Sequence, residues 1–317
     1  MVLALCVALG LLVGPVFAAE YPTQPVKIIV PYSAGGTSDL QTRIMSKYIK
    51  EYLGQDFVIV NIAGAGGGIG AREVLNSKPD GYTVLFLHQS IFTNYLTGVS
   101  DFTYTDFTPV CLAISTNRIF IARPDAPWNN LKDAVEDAKK RPGQIRLGAE
   151  IGATSHFQVM PLQMMTDNAF VLTASKGGDM DRITKVMGGH MDLSVVALSS
   201  VVSYLKSGDL KALAVTSEER DSFLPDVPTA KELGIDAVFM QDTGFYMPPK
   251  TPDSVVAAFS KAIGEMSKNE AYVKEEAEKT FSQVRYMDTE EFVKFLEKDF
   301  KYWSRIAKEA GFEPPKK

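Results

Sequence analysis

Short apolar runs rich in β-branched residues alternate with segments whose apolar side chains recur at helical spacing, almost throughout the chain. That alternation is the pattern of α/β architecture with mainly parallel sheets. Residues 26–30 read as the first strand, closed by Pro31. The helix after it opens near Asp39, carries Leu40, Ile44, Met45, Tyr48, Ile49, Tyr52 and Leu53, and stops at Gly54. A second strand at 57–62, a short helix at 69–75 and a third strand at 82–87 follow.

Further strands are expected at 108–114 and 119–122, before Arg123-Pro-Asp-Ala-Pro127 interrupts the chain. Asn129 and Asn130 then cap a helix with the stripe Leu131, Ala134, Val135 and Ala138, which ends before Pro142-Gly143. Short strands recur at 145–147, 170–174, 193–197 and 210–216, with helical segments between them. An extended stretch at 237–246 leads into Met247-Pro-Pro-Lys-Thr-Pro252 and two long amphipathic helices, 253–279 and 288–310. The second opens with Asp288 and Glu291 in capping-box spacing and stops at Gly311. Helices without a sheet of their own pack back on an existing domain. The expected division is a discontinuous first domain, 19–123 plus 241–317, and an inserted second domain, 124–240. Two crossings between them make a hinge, and the space between such domains is a favoured ligand site.

Several loops carry candidate chemistry toward that cleft. In Val30-Pro-Tyr-Ser-Ala-Gly-Gly-Thr-Ser-Asp39, the Gly35-Gly36 turn presents amide N–H groups beside a helix N-terminus, an anion site without any basic side chain. Asp39 reads there as a helix-cap residue rather than a catalytic acid. Gly64, Ala65 and Gly66 belong to a second glycine-rich loop whose Gly66-x-Gly68-x-x-Ala71 spacing mimics a dinucleotide fingerprint. The next strand ends in Leu87-His-Gln-Ser90 with no acid at its tip to hold a ribose, so a close-approach loop is the better reading and no cofactor is expected. Gln89 and Ser90 either bond a distal ligand group or simply end the strand. Gly152, Ala153, Thr154, Ser155 and His156 repeat the strand, glycine loop and hydroxyl-capped helix in the second domain, and Lys176, Gly177, Gly178 and Asp179 open another helix.

Composition narrows the function class. With 45% hydrophobic and 22% charged residues, the 317-residue chain is neither disordered nor fibrous. Its net charge of −5 is spread along the sequence, which excludes a nucleic-acid footprint. His88, His156 and His190 show no metal-ligand spacing, so no metal is expected, and no Gly-x-Ser-x-Gly elbow exists. The first eighteen residues lack any charged side chain and end in Val16-Phe17-Ala18, the pattern of a signal peptide (1–18) cut after Ala18. The mature chain is then exported and keeps Cys111 as its sole cysteine, so it has no internal disulfide.

These motifs, taken in order, resemble the tripartite tricarboxylate transporter substrate-binding proteins, the TctC/Bug family. The resemblance rests on Tyr21-Pro-x-x-Pro-Val-Lys27 and the run to Asp39, the Gly-Ala-Gly-Gly-Gly loop, Lys78-Pro-Asp-Gly-Tyr-Thr83, Lys176-Gly-Gly178, Gly188-Gly-His-Met-Asp192 and Pro225-Asp-Val-Pro-Thr-Ala-Lys-Glu-Leu-Gly234. It implies a two-lobed periplasmic-binding-protein fold of the type II, Venus-flytrap kind. It also implies a periplasmic monomer, not an enzyme, that delivers a small carboxylate to a membrane permease. In such proteins backbone amides and ordered waters hold the ligand. Carried over by motif, the first ligand loop is Tyr32 to Asp39, with Tyr32, Ser33, Ala34, Gly35, Gly36 and Asp39 as its candidates, the second is Gly152 to His156, and Lys176-Gly177-Gly178 and the Gly64–Gly67 loop complete the cleft. Dicarboxylate, tricarboxylate, aromatic acid and amino acid all remain open as ligands. Asp179 departs from the small residues usual there. It caps a helix toward solvent or contacts an amino or hydroxyl group, and when ionised it would sit badly beside a tricarboxylate. The rival readings are an exported enzyme using Ser155 and His156 or Asp39, and a ligand-sensing partner of a membrane receptor.

Overall fold

The computed structural model describes residues 21–315, and the expected signal peptide lies outside them. The elements run β1 (Val26–Val30), α1 (Thr37–Leu53), β2 (Phe57–Asn61), α2 (Gly68–Leu75), β3 (Thr83–Leu87), α3 (Ser90–Leu96), β4 (Thr108–Ala122), α4 (Leu131–Lys140), β5 (Arg146–Ala149) and α5 (Thr154–Met165). They continue with β6 (Val171–Ala174), α6 (Gly178–Met187), β7 (Leu193–Ala197), α7 (Leu198–Ser207), β8 (Lys211–Val215), β9 (Met240–Met247), α8 (Asp253–Met266), α9 (Glu270–Thr280), β10 (Ser282–Met287) and α10 (Thr289–Glu309).

The strands form two halves that share one strand. In the first half β1 lies parallel between β2 and β3, β9 pairs antiparallel with both β3 and β4, and β10 closes the other edge of β4. The far end of β4, from Arg118 to Ala122, pairs antiparallel with β7 and β8, and β7 continues in parallel to β5 and β6. The chain is thus α/β and two-lobed, with antiparallel strands where it crosses between halves.

β4 differs from the sequence reading, which has two strands with a gap at 115–118. Ser115, Thr116, Asn117 and Arg118 break the apolar pattern, yet all four are buried and their side chains are paired. Thr116 accepts from Gln41 Nε2 at 3.1 Å, Ser115 bonds Asp242, Asn117 bonds Asp221, and Arg118 bonds Asp179. A buried polar group costs little once bonded, so the strand runs on. The 253–279 helix is instead two helices: Asn269 accepts the Tyr272 N–H and starts α9 afresh. Phe281, in the left-handed region at φ 51°, then turns the chain into β10, which the sequence reading lacks.

α10 opens as predicted, with Asp288 and Glu291 bonding each other's backbone reciprocally. Its apolar face spans both halves. Phe300 meets Phe92 of α3 and Tyr104 edge-on or tilted at 5.7 and 5.6 Å, while Trp303 meets Phe157 of α5 at 6.1 Å. Nearby, Asp299 is pushed up to about 7 by burial and by the Asp242 charge on β9. Cys111 is buried and unpaired in β4, and burial pushes its thiol up, as suits an inert core residue.

Glu276 of α9 makes a pH dependence predictable. Its Oε2 accepts from Thr280 at 3.0 Å, its Oε1 is buried without a partner, and burial pushes the carboxyl from 4.5 up to about 8. Between those values the folded protein keeps a proton that the unfolded chain has released, so stability falls as pH rises, by up to about 1.4 kcal/mol per pH unit. From about pH 6.5 to about pH 8.5 the melting temperature of the wild type is expected to fall more steeply than that of Glu276→Gln. Parallel thermal-melt curves would assign the slope to other groups.

Candidate functional site

The strand ends and helix starts of both halves converge on a cavity of about 180 Å³ where the halves meet. From the first half come Tyr32, Gly66, His88, Ser90 and Asn94. From the second come Glu150, Ala153, Thr154, Ser155, Gln158, Gly178, Asp179 and Arg182. The crossing strands add Arg118 and Gln241. Hydroxyl pairs join the halves beside it, Thr37 to Ser199 at 3.0 Å and Thr93 to Thr154 at 3.1 Å. A larger open groove of about 430 Å³ between α8 and the start of α10 lies away from these residues.

Local chemistry shapes the first-half wall. Tyr32 shares a 2.7 Å hydrogen bond with Ser90 Oγ, and its ring stacks on His88 with centroids 5.0 Å apart. Burial, aided by Arg118, lowers His88 to about 3, so the imidazole is neutral at physiological pH. Its Nδ1 accepts the Ser90 N–H at 3.2 Å, which places the proton on Nε2. Asn94 Nδ2 ties down the glycine loop by donating to the Ala65 and Gly66 carbonyls, each at 3.1 Å. Gly66 has φ 60°, and a Cβ there would come within 2.9 Å of Asn94 Oδ1, so glycine is required.

The second-half wall is held by charge. Asp179 takes both terminal nitrogens of Arg118 at 3.0 Å, the Ala197 N–H at 2.8 Å and a bond from Arg182. Burial acts to raise its pKa, but the two guanidiniums outweigh this and hold the carboxyl well below the usual range. The expected solvent-facing cap is therefore a nearly buried carboxylate whose oxygens are already occupied.

The other sequence candidates are placed as follows. Ser33, Ala34, Gly35 and Gly36 form an exposed loop outside the cavity lining. The Gly35 N–H is taken by Asp39 Oδ2 at 2.8 Å, and Arg43 bonds the same oxygen at 2.9 Å, so the buried Asp39 shapes the loop. Gly64 and Ala65 support Gly66 from behind, with φ 134° and 47°. Gln89 is committed to β9, donating to the Met240 carbonyl at 3.0 Å and accepting the Asp242 N–H. Gly152 N–H donates to His156 Nδ1, and the buried His156 ring packs edge-on against Phe312. Ser155 Oγ accepts the Glu150 N–H at 3.0 Å, so Ser155 and His156 make no nucleophile–base pair. Lys176 and Gly177 are exposed, and the Lys176 N–H bonds Asp181 at 3.2 Å.

Sequence reasoning missed His88, Asn94, Arg118, Glu150, Gln158, Arg182 and Gln241. A usable signal existed for two of them: Arg118 is a lone charge amid strand-forming residues, and Arg182 stands one helical turn after Asp179. Among the described residues, no group of three or more His, Cys, Asp and Glu is placed to hold a metal ion, and no helix is long and apolar enough to cross a membrane.

The model of the tripartite tricarboxylate transporter family receptor, TctC, matches residues 41–312. Protein BugT of Bordetella pertussis is 26% identical over 316 residues, covering 98% of this chain and 96% of its own. The structure of the periplasmic binding protein BugD is similar at TM-score 0.78 and 30% identity, over 92% of this chain and 99% of its own. The R. palustris protein Rpa4515, solved with adipate, is similar at TM-score 0.81 and 26% identity, over 93% and 100%. With a family match over most of its length and a two-lobed relative covering nearly all of it, the chain belongs to the TctC receptor family, whose members are substrate-binding proteins rather than enzymes.

Proposed function

We propose that this chain is an exported, periplasmic solute-binding protein that closes its two lobes on a small organic carboxylate and presents it to the membrane subunits of a tripartite transporter. The observation that carries this reading is the hinge cavity, walled by both halves and bridged by the Thr37–Ser199 and Thr93–Thr154 hydroxyl pairs. The adipate bound by the relative Rpa4515 supports the carboxylate class. The first domain comprises 19–123 plus 241–317 and the second 124–240. Closure occurs about the two crossings, and the protein works as a monomer with no cofactor.

Thermal unfolding tests this reading. The mature protein, freed of copurified ligand by unfolding and refolding, is heated with a panel of carboxylates and amino acids. A ligand at about 100 times its dissociation constant adds about 2.7 kcal/mol, a shift of several degrees. Recovery of that ligand unaltered supports a binding protein. A chemically converted ligand, or no shift with any member of the panel, overturns it.

A further inference from the structure

Part of the cavity wall in the second half is one tight turn and the helix that follows it. The Ala153 N–H donates to the Glu150 carbonyl at 3.0 Å and Gly152 has φ 81°, so residues 150–153 turn sharply into α5. Glu150, Ala153, Thr154 and Ser155 of this stretch line the cavity. Two further amides of the turn are taken by side chains of the first helical turn: Glu150 N–H donates to Ser155 Oγ at 3.0 Å, and Gly152 N–H to His156 Nδ1 at 3.2 Å. His156 is 6% exposed and lies outside the lining. Its ring meets Phe312, beyond the end of α10, edge-on at 5.4 Å, and Phe157 at 6.5 Å.

We infer that His156 is a positioning residue for the cleft: its neutral imidazole fixes the Gly152 turn and so holds Ala153, Thr154 and Ser155 at the cavity wall, while protonation of the ring releases the turn and weakens the hold on cargo. The inference rests on the cavity being the ligand site proposed above. Accepting at Nδ1 puts the single ring proton on Nε2, whereas an imidazolium carries N–H on both nitrogens and would turn a donor toward the Gly152 donor. Among the described residues no charged group acts on the ring. Phe157 of its own helix, Phe312 and the Gly152 turn face it, and Glu150 at the head of that turn acts on Arg182 instead. Burial holds the imidazole below its ordinary 6.5, and a cation in the first turn of α5 would also oppose the positive end of the helix dipole. The neutral form therefore prevails at neutral pH and is lost only as pH falls.

The first test needs no ligand. With the ring nitrogens of the three histidines isotope-labelled, magnetic resonance of the full mature protein is expected to show His156 with a bare Nδ1 and a protonated Nε2 at about pH 7.5, its signals assigned by their absence from His156→Phe. Its titration is expected below 6.5, together with a loss of Gly152 amide protection. A protonated Nδ1 at the higher pH, or amide protection indifferent to the titration, overturns the inference. The second test is calorimetric titration with acetate, succinate, adipate, citrate, benzoate and L-glutamate at about pH 7.5 and about pH 5, where the acid's own protonation is common to all variants. His156→Asn puts an amide oxygen in the place of Nδ1 and does not titrate. It is expected to bind the preferred acid as the wild type does at the higher pH and to lose less at the lower. His156→Phe keeps the aromatic packing without an acceptor and is expected to bind about tenfold weaker at the higher pH. A ring that only packs gives the opposite order, phenylalanine tolerated and asparagine not, and that result overturns the inference. If none of these acids binds, the carboxylate reading of the cleft fails and the resonance experiment alone decides the role of His156.

Discussion

Asp179→Ala is expected to destabilise the fold by about 3–5 kcal/mol, since it leaves Arg118 and Arg182 buried without the carboxylate they share, with only Glu150 nearby in opposite charge. Those side chains are 5% and 3% exposed, so bulk water reaches them only through the cavity. In a thermal scan the loss is roughly 10 °C. The double variant Asp179→Ala/Arg118→Met separates charge from packing. Removing one stranded guanidinium should restore part of the melting temperature, whereas two lost packing contributions would sum. A single-variant cost below about 1 kcal/mol would mean the pair is solvated like a surface bridge.

The second large effect is expected at Trp303. This side chain is 1% exposed and packs on Phe157, Phe239 and Tyr302 at 6.1, 5.9 and 5.2 Å. Truncation of so large a buried aromatic costs about 3–5 kcal/mol in transfer and cavity terms. Trp303→Ala should therefore melt roughly 10 °C lower. Trp303→Phe keeps the apolar bulk and should recover most of the loss. If alanine costs less than about 1 kcal/mol, α10 is not what ties the halves together.

Elements set by local chemistry were legible in the sequence. β1 begins and ends where its β-branched run does, Asn130 caps α4, and the Asp288–Glu291 box opens α10. Features decided by distant partners were not. The polar stretch 115–118 reads as a gap until its partners, from 75 to 166 positions away for Thr116, are brought beside it. The glycine loops were likewise visible as loops, but which groups they turn inward depends on packing. Gly66 faces the cavity because Asn94 holds its carbonyl, whereas the Gly35 amide is claimed by Asp39. Arg118 and Asp179 lie 61 positions apart, and only the crossing of β4 past the start of α6 makes them a pair.

The unbroken β4 has a mechanical consequence. At the crossing its ladder passes from β9 at Asn117 to β7 at the very next residue, Arg118, so the lobes are joined by a torsion bar rather than by a loose joint. Opening then means winding a bonded strand, and the resting angle belongs to the chain rather than to its cargo. Any ligand must supply the work of leaving that angle, so its apparent affinity is its contact energy less the twist. Tuning the stiffness at Thr116–Arg118 is expected to change how tightly cargo is held and how readily it is surrendered, without altering a residue of the cavity lining except Arg118.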